Sequence, residues 1–90
     1  MEKILTKHPL GKKGVNISKE KYILIKEAIL QSLERNELSH TSLTKAVGEI
    51  IGKNFDGSTS WYVETVKLDL EAKNIIERIS NIKPQLYRKK

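Results

Sequence analysis

From position 18 onward the apolar residues of this chain fall at helical spacing. Tyr22, Ile25, Ala28, Ile29 and Leu33 line one stripe, which predicts a helix over residues 19–35. Ser18 is its candidate N-cap, and Glu20 places a negative charge in the first turn, where it complements the helix dipole. Ile23, Leu24 and Leu30 widen the apolar surface beyond one stripe, so a second cover is expected, either the N-terminal "KILTKHP" or another subunit. "RNELSHTS" then breaks the period. Leu38 reads as a single short strand or plug, and Ser39 or Thr41 can cap a second helix over 42–52 that buries Leu43, Val47, Ile50 and Ile51. Gly48 inside that helix costs about 1 kcal/mol against alanine, which points to close packing with a neighbour, and Gly52 is its stop.

"KNFDGSTS" is a loop by composition, with a turn at Asp56 and Gly57 and three hydroxyl residues able to cap the next helix; Phe55 is expected to anchor it to the core. A third helix is predicted over 59–73. It carries two apolar stripes on nearly opposite sides, one of Val63, Val66 and Leu70 flanked by Tyr62, the other of Trp61, Thr65, Leu68 and Ala72. "IIERI" at 75–79 then reads as a strand, "SNIKPQ" as a turn and "LYRKK" as a returning strand.

The order helix, short strand, helix, helix, strand, turn, strand is that of a winged helix-turn-helix. "LDLEAKNIIERI", Leu68 to Ile79, resembles the junction between third helix and wing in many proteins of that fold, where a leucine–glutamate pair precedes two residues, a glycine and an apolar strand. Leu70 and Glu71 fit the pair, Ile75 and Ile76 the strand, and Asn74 stands where glycine is usual, a mild departure because asparagine tolerates left-handed backbone. With "HPLGKKGVNIS" early and "WYVETVKLDLEAKN" late, the chain also resembles a family of short uncharacterised bacterial proteins assigned to this fold, a likeness that implies no biochemistry. The expected class is therefore mainly α with a small β-hairpin (α+β): three helices plus a C-terminal wing. The expected organisation is a single domain, with residues 1–17 a basic N-terminal arm and 18–90 the winged helix.

Composition narrows what such a domain can do. Ninety residues, 38% of them hydrophobic, suit one core. The absence of cysteine removes disulfides, thiolate metal sites and a cysteine nucleophile. No stretch has signal-peptide or membrane-spanning character, so a soluble, unprocessed cytoplasmic protein without membrane partners is expected. The net charge of +6 is uneven: residues 1–22 hold six lysines against two acids, residues 78–90 five basic residues against none, and the middle six basic against nine acidic. Basic ends can attract nucleic acid or an acidic surface, or serve solubility alone.

Candidate chemistry is sparse. "GKKG" lacks the spacing of a phosphate-binding P-loop and has Lys13 where serine or threonine would hold magnesium, so Gly11 and Gly14 read as turn residues. His8 and His40, the only histidines, have no second ligand at metal-binding spacing and read as exposed loop residues. Glu64 and Glu71 lie seven apart with Lys67 between them, which reads as a solvated face with an ion pair rather than paired catalytic carboxylates. No enzyme, metal, cofactor or small-molecule substrate is expected.

DNA binding through phosphate contacts is the leading expectation, of a transcription-regulator-like or nucleoid-associated kind. Its candidate contacts are Lys12 and Lys13 of the arm, Ser58, Thr59, Thr65 and Lys67 around the third helix, and Lys83, Arg88 and Lys89 of the wing. The third helix nets −1, which opposes close approach to phosphates. Trp61 and Leu68 are expected to be core, packed under the arm. The alternative function is a protein-interaction or self-association module, such as a homodimer, using Trp61 and Leu68 or the wide first-helix face at Ile23 and Leu30.

Overall fold

A computed structural model describes residues 2–79 and 81–90. Met1, the first residue of the expected arm, and Ser80, the first of the expected 80–85 turn, lie outside them. The chain is α+β, with three helices and two small antiparallel sheets.

The first helix, α1, is Lys19–Leu33, with the Ser18 hydroxyl accepting from the Lys21 N–H. It is followed by a two-residue strand at Leu38–Ser39, and then by α2 at His40–Ile51. That helix starts two residues earlier than its apolar pattern predicts because Ser39 caps it, accepting from the Ser42 N–H at 3.2 Å. Gly52, at φ 79°, ends it. The last helix, α3, is Thr59–Ala72, and Ser58 caps it through the Trp61 N–H. Asn74 then takes φ 60° and turns the chain into the strand Ile76–Ile79, which returns as Leu86–Lys89.

Two further strands, Lys3–Leu5 and Asn16–Ser18, precede α1 and pair with each other. In chain order the strands are therefore β1 (Lys3–Leu5), β2 (Asn16–Ser18), β3 (Leu38–Ser39), β4 (Ile76–Ile79) and β5 (Leu86–Lys89), arranged as β1-β2 and as β3-β5-β4. The short β3 pairs alongside β5, which makes β5 the central strand of that sheet, with Leu38 opposite Tyr87 and Ser39 opposite Leu86.

The core lies where the helices meet. Ile25 and Ile29 of α1, Leu43 and Val47 of α2 and Val63, Val66 and Leu70 of α3 are fully buried. Each such side chain contributes about 1.5–3 kcal/mol by leaving water. Ile76, Tyr87 and Ile17 close the rim, so both hairpins are seated on the helical core.

Several apolar expectations are revised. Ile50 is exposed and Ile51 only half-buried, so α2 buries a narrower face than its pattern implies. A Cβ on Gly48 would meet open space, so no neighbour packs closely there. On α1, Leu30 is half-buried against the core and Ile23 is 42% exposed, so the two are not one open face.

Candidate functional site

The N-terminal hairpin decides what α3 presents to solvent. β1 and β2 pair in register from Lys3 opposite Ser18 to Leu5 opposite Asn16, and the Lys19 N–H donates to the Glu2 carbonyl beside them. Thr6 extends the ladder through its backbone N–H to the Val15 carbonyl, 2.9 Å, while its hydroxyl accepts from the Val15 N–H, 3.1 Å. Gly14 is required here, because a Cβ on it would fall onto the Thr6 carbonyl. The loop between them, residues 7–13, turns on His8, which is half-buried rather than exposed: its Nδ1 accepts from the Leu10 N–H and its carbonyl from the Gly11 N–H.

That loop lies along the outer side of α3. A shallow cleft of about 650 Å³ separates it from Glu71, Ala72 and Asn74, and a second of about 540 Å³ is lined by His8, Leu10 and Lys12 on one side and Glu64, Leu68 and Arg78 on the other. Thr65 and Leu68 also flank a smaller gap beside Lys13 and Val15. Leu68 is half-buried by this cover, in keeping with its place in the second apolar stripe. Trp61, two turns earlier on α3, lies outside these clefts and is 46% exposed, which corrects the expectation that it is core. Its ring meets Tyr62 edge-on at 4.9 Å, and Tyr62 in turn meets Phe55 at 5.1 Å.

The loop is tied to α3 by Asp69, a fully buried carboxylate. One of its oxygens accepts the Lys7 N–H at 2.9 Å; the other takes the Tyr22 hydroxyl and the Lys73 ammonium, the latter at 2.9 Å. Asp69 thus joins the loop, α1 and the end of α3. Burial and the Asp69 bond raise the Tyr22 pKa. Partial burial pulls Lys73 down, but its bonds to Asp69 and Tyr22 outweigh that and raise it. Asp69 reads as a flank residue in the sequence, and only its place between two apolar stripes hints at burial.

Lys67 requires the largest correction. Expected on a solvated face and as a phosphate contact, it is 1% exposed. Its Nζ lies 3.0 Å from Glu64 Oε1, 3.1 Å from His40 Nδ1 and 4.1 Å from the centre of the Tyr87 ring. Tyr87 packs over it from β5, so no phosphate can reach it. His40 is likewise not an exposed loop residue: it is half-buried at the start of α2, with Nε2 3.4 Å from the Thr44 hydroxyl.

The remaining candidates divide. Ser58 is occupied as a cap, and Thr59 and Thr65 are half-buried. Arg88 is paired with Glu77 at 2.7 Å and Glu37 at 3.6 Å. Lys89 shares a cleft of about 370 Å³ with Arg35 and Lys90, at the end of β5 opposite the turn that carries Lys83. The basic C-terminus is therefore divided, with Lys83 in the turn and Lys89 and Lys90 at the far end of β5.

The acids of α3 are each engaged: Glu64 with Lys67, Asp69 with Lys73, Glu71 with both Nε and Nη2 of Arg78. Among the described residues Lys7, Lys12, Lys13 and Lys83 are exposed and take part in no ion pair, and the same holds for Lys3, Lys45, Lys53, Lys89 and Lys90. No group of three or more metal-ligating side chains occurs among the described residues, and no helix there is long and apolar enough to cross a membrane. No curated protein and no solved structure matches the chain. Residues 3–87 do match a family of unknown function, DUF6958, and at that coverage the chain belongs to it.

Proposed function

We propose that this chain is a winged helix-turn-helix domain that binds duplex nucleic acid through phosphate contacts from its N-terminal loop and its C-terminal wing, with α3 held back from the groove. The fold part of the reading is supported by the element order and by the sheet order β3-β5-β4, in which a short strand between the first two helices pairs with the last strand of a C-terminal hairpin. The observation that carries the binding part is the placement of four of the exposed lysines that take part in no ion pair. Lys7, Lys12 and Lys13 stand on the loop, which meets β4 at the cleft shared by Lys12 and Arg78, and β4 leads into the turn bearing Lys83.

The loop also changes the part α3 can play. Its acids are neutralised by partners, so charge repulsion matters less than the sequence implies; cover matters more, because the loop lies over the middle and C-terminal part of α3 and leaves only its first turn open. Recognition is then of duplex shape and charge rather than of sequence.

Titrating a fluorescent duplex at several salt concentrations tests this. Four phosphate contacts give a slope of log K against log salt of about −3.6, so a fourfold rise in salt costs about 10²-fold in affinity. Lys12→Glu with Lys13→Glu should weaken unrelated duplexes alike. Absence of binding at low salt overturns the reading.

The exposed Trp61, continuous with Tyr62 and Phe55, supports a second reading, a protein-interaction or self-association module. Concentration-dependent sedimentation that Trp61→Glu abolishes, without duplex binding, would favour it.

A further inference from the structure

Buried lysine is rare unless its charge is answered, and the way Lys67 is answered contains a titratable group. Its ammonium donates to His40 Nδ1 at 3.1 Å, which requires that nitrogen to be unprotonated; the proton of a neutral ring then lies on Nε2, facing the Thr44 hydroxyl. The charged and titratable groups facing His40 are Lys67 and Glu64 of α3, with Tyr87 of β5 beyond the ammonium. His40 follows directly on Ser39, whose partner across the sheet is Leu86. One imidazole thus sits where α2, α3, β3 and β5 converge.

We infer that His40 and Lys67 form a pH-sensitive latch that seats the C-terminal hairpin on the helices: protonation of His40 sets two cations against each other, withdraws the acceptor from Lys67 and loosens β5 at Tyr87 and Leu86. Two further forces act in the same direction. The ring stands at the N-terminal end of α2, where a positive charge opposes the helix dipole. Lys67 is also the nearer of two cations over the Tyr87 ring, 4.1 Å from its centre against 5.5 Å for Arg78, so its displacement weakens that contact. Glu64 opposes the change, since it attracts both cations, but at 48% side-chain exposure solvent screens it.

Burial, and then the Lys67 charge, hold the His40 pKa below its ordinary value, partly countered by Glu64. Linkage fixes the sign. Well above about pH 6.5 the ring is neutral in both folded and unfolded chains and pH has no effect through it; as pH falls through about 6.5 the unfolded chain takes up the proton first, so folding stability falls until the folded ring also protonates.

NMR titration of the intact protein without nucleic acid, from pH 7.5 to 4.5, tests the latch independently of any binding activity. The amides of Tyr87 and Leu86 should shift with the same midpoint as the His40 ring, below about 6.5. In His40→Gln, which keeps an acceptor but cannot titrate, that transition should vanish from both amides. In Lys67→Met, which fills the same space without charge, the His40 midpoint should rise toward about 6.5 and the amide shifts shrink. Unmoved Tyr87 and Leu86 amides, or a transition that persists in His40→Gln, would overturn the proposal.

Discussion

Lys67 and Asp69 stand two residues apart on α3, both buried, and their surroundings could hardly differ more. Asp69 is a hub of hydrogen bonds, receiving the Lys7 N–H, the Tyr22 hydroxyl and the Lys73 ammonium, so both of its oxygens are engaged. Lys67 has one carboxylate, one imidazole and an aromatic face. Asp69 fastens the N-terminal loop and α1 to α3; Lys67 fastens β5 and the start of α2. The contrast shows what each charge is for. Removing Asp69 leaves the buried Tyr22 hydroxyl without its acceptor, whereas the partners of Lys67 are an exposed acid, a neutral ring and an aromatic face that also has Arg78 at 5.5 Å.

Paired substitutions at the two positions test the contrast most severely. Asp69→Leu should cost about 3–5 kcal/mol in urea unfolding, because the buried Tyr22 hydroxyl loses its acceptor and the Lys7 N–H its tie to α3. Lys67→Met should stay within about 1 kcal/mol of the parent, since a hydrophobe of similar volume replaces a charge that had to be desolvated. Equal losses at both positions would show that the two are the same kind of anchor.

Gly14→Ala probes the Asp69 side alone. Its methyl group would displace the Thr6 carbonyl and break the ladder that delivers Lys7 to Asp69, at a cost of about 2–3 kcal/mol. Amide exchange should quicken at Lys7 and Val15 and not at Tyr87, which belongs to the other anchor. The smallest effect is expected at the uncovered end of α3. Trp61→Glu should leave the domain folded and cost about 1 kcal/mol, because nearly half of the side chain is already in water; unfolding would mean that it is core after all.

The helices were legible because their signals are local. Ser18 and Ser58 are caps by residue type, Gly52 stops α2, and the stripe Tyr22, Ile25, Ala28, Ile29 and Leu33 is buried as its spacing implies. The C-terminal hairpin was legible from two apolar runs around a proline-containing turn. The pairing of residues 3–5 with 16–18 was not, because "KILTKHP" has no clear alternation and its register rests on Gly14 closing against Thr6.

The candidate site divides along the same line. Lys12, Lys13 and Lys83 are exposed as their settings in turns suggest, whereas Lys67, Thr65 and Arg88 are covered or paired by segments distant in sequence. Residue order alone made α3 a helix with two apolar stripes and charges between them. Which of those charges met solvent depended on packing in three dimensions. Side chains two residues apart on a helix point about 200° apart, and each side is wet or dry according to what arrives there: the loop of residues 7–13 over Asp69, and Tyr87 over Lys67. Helical periodicity is a property of neighbouring residues; burial of a charge depends on partners 62 and 27 positions away, at Lys7 and His40.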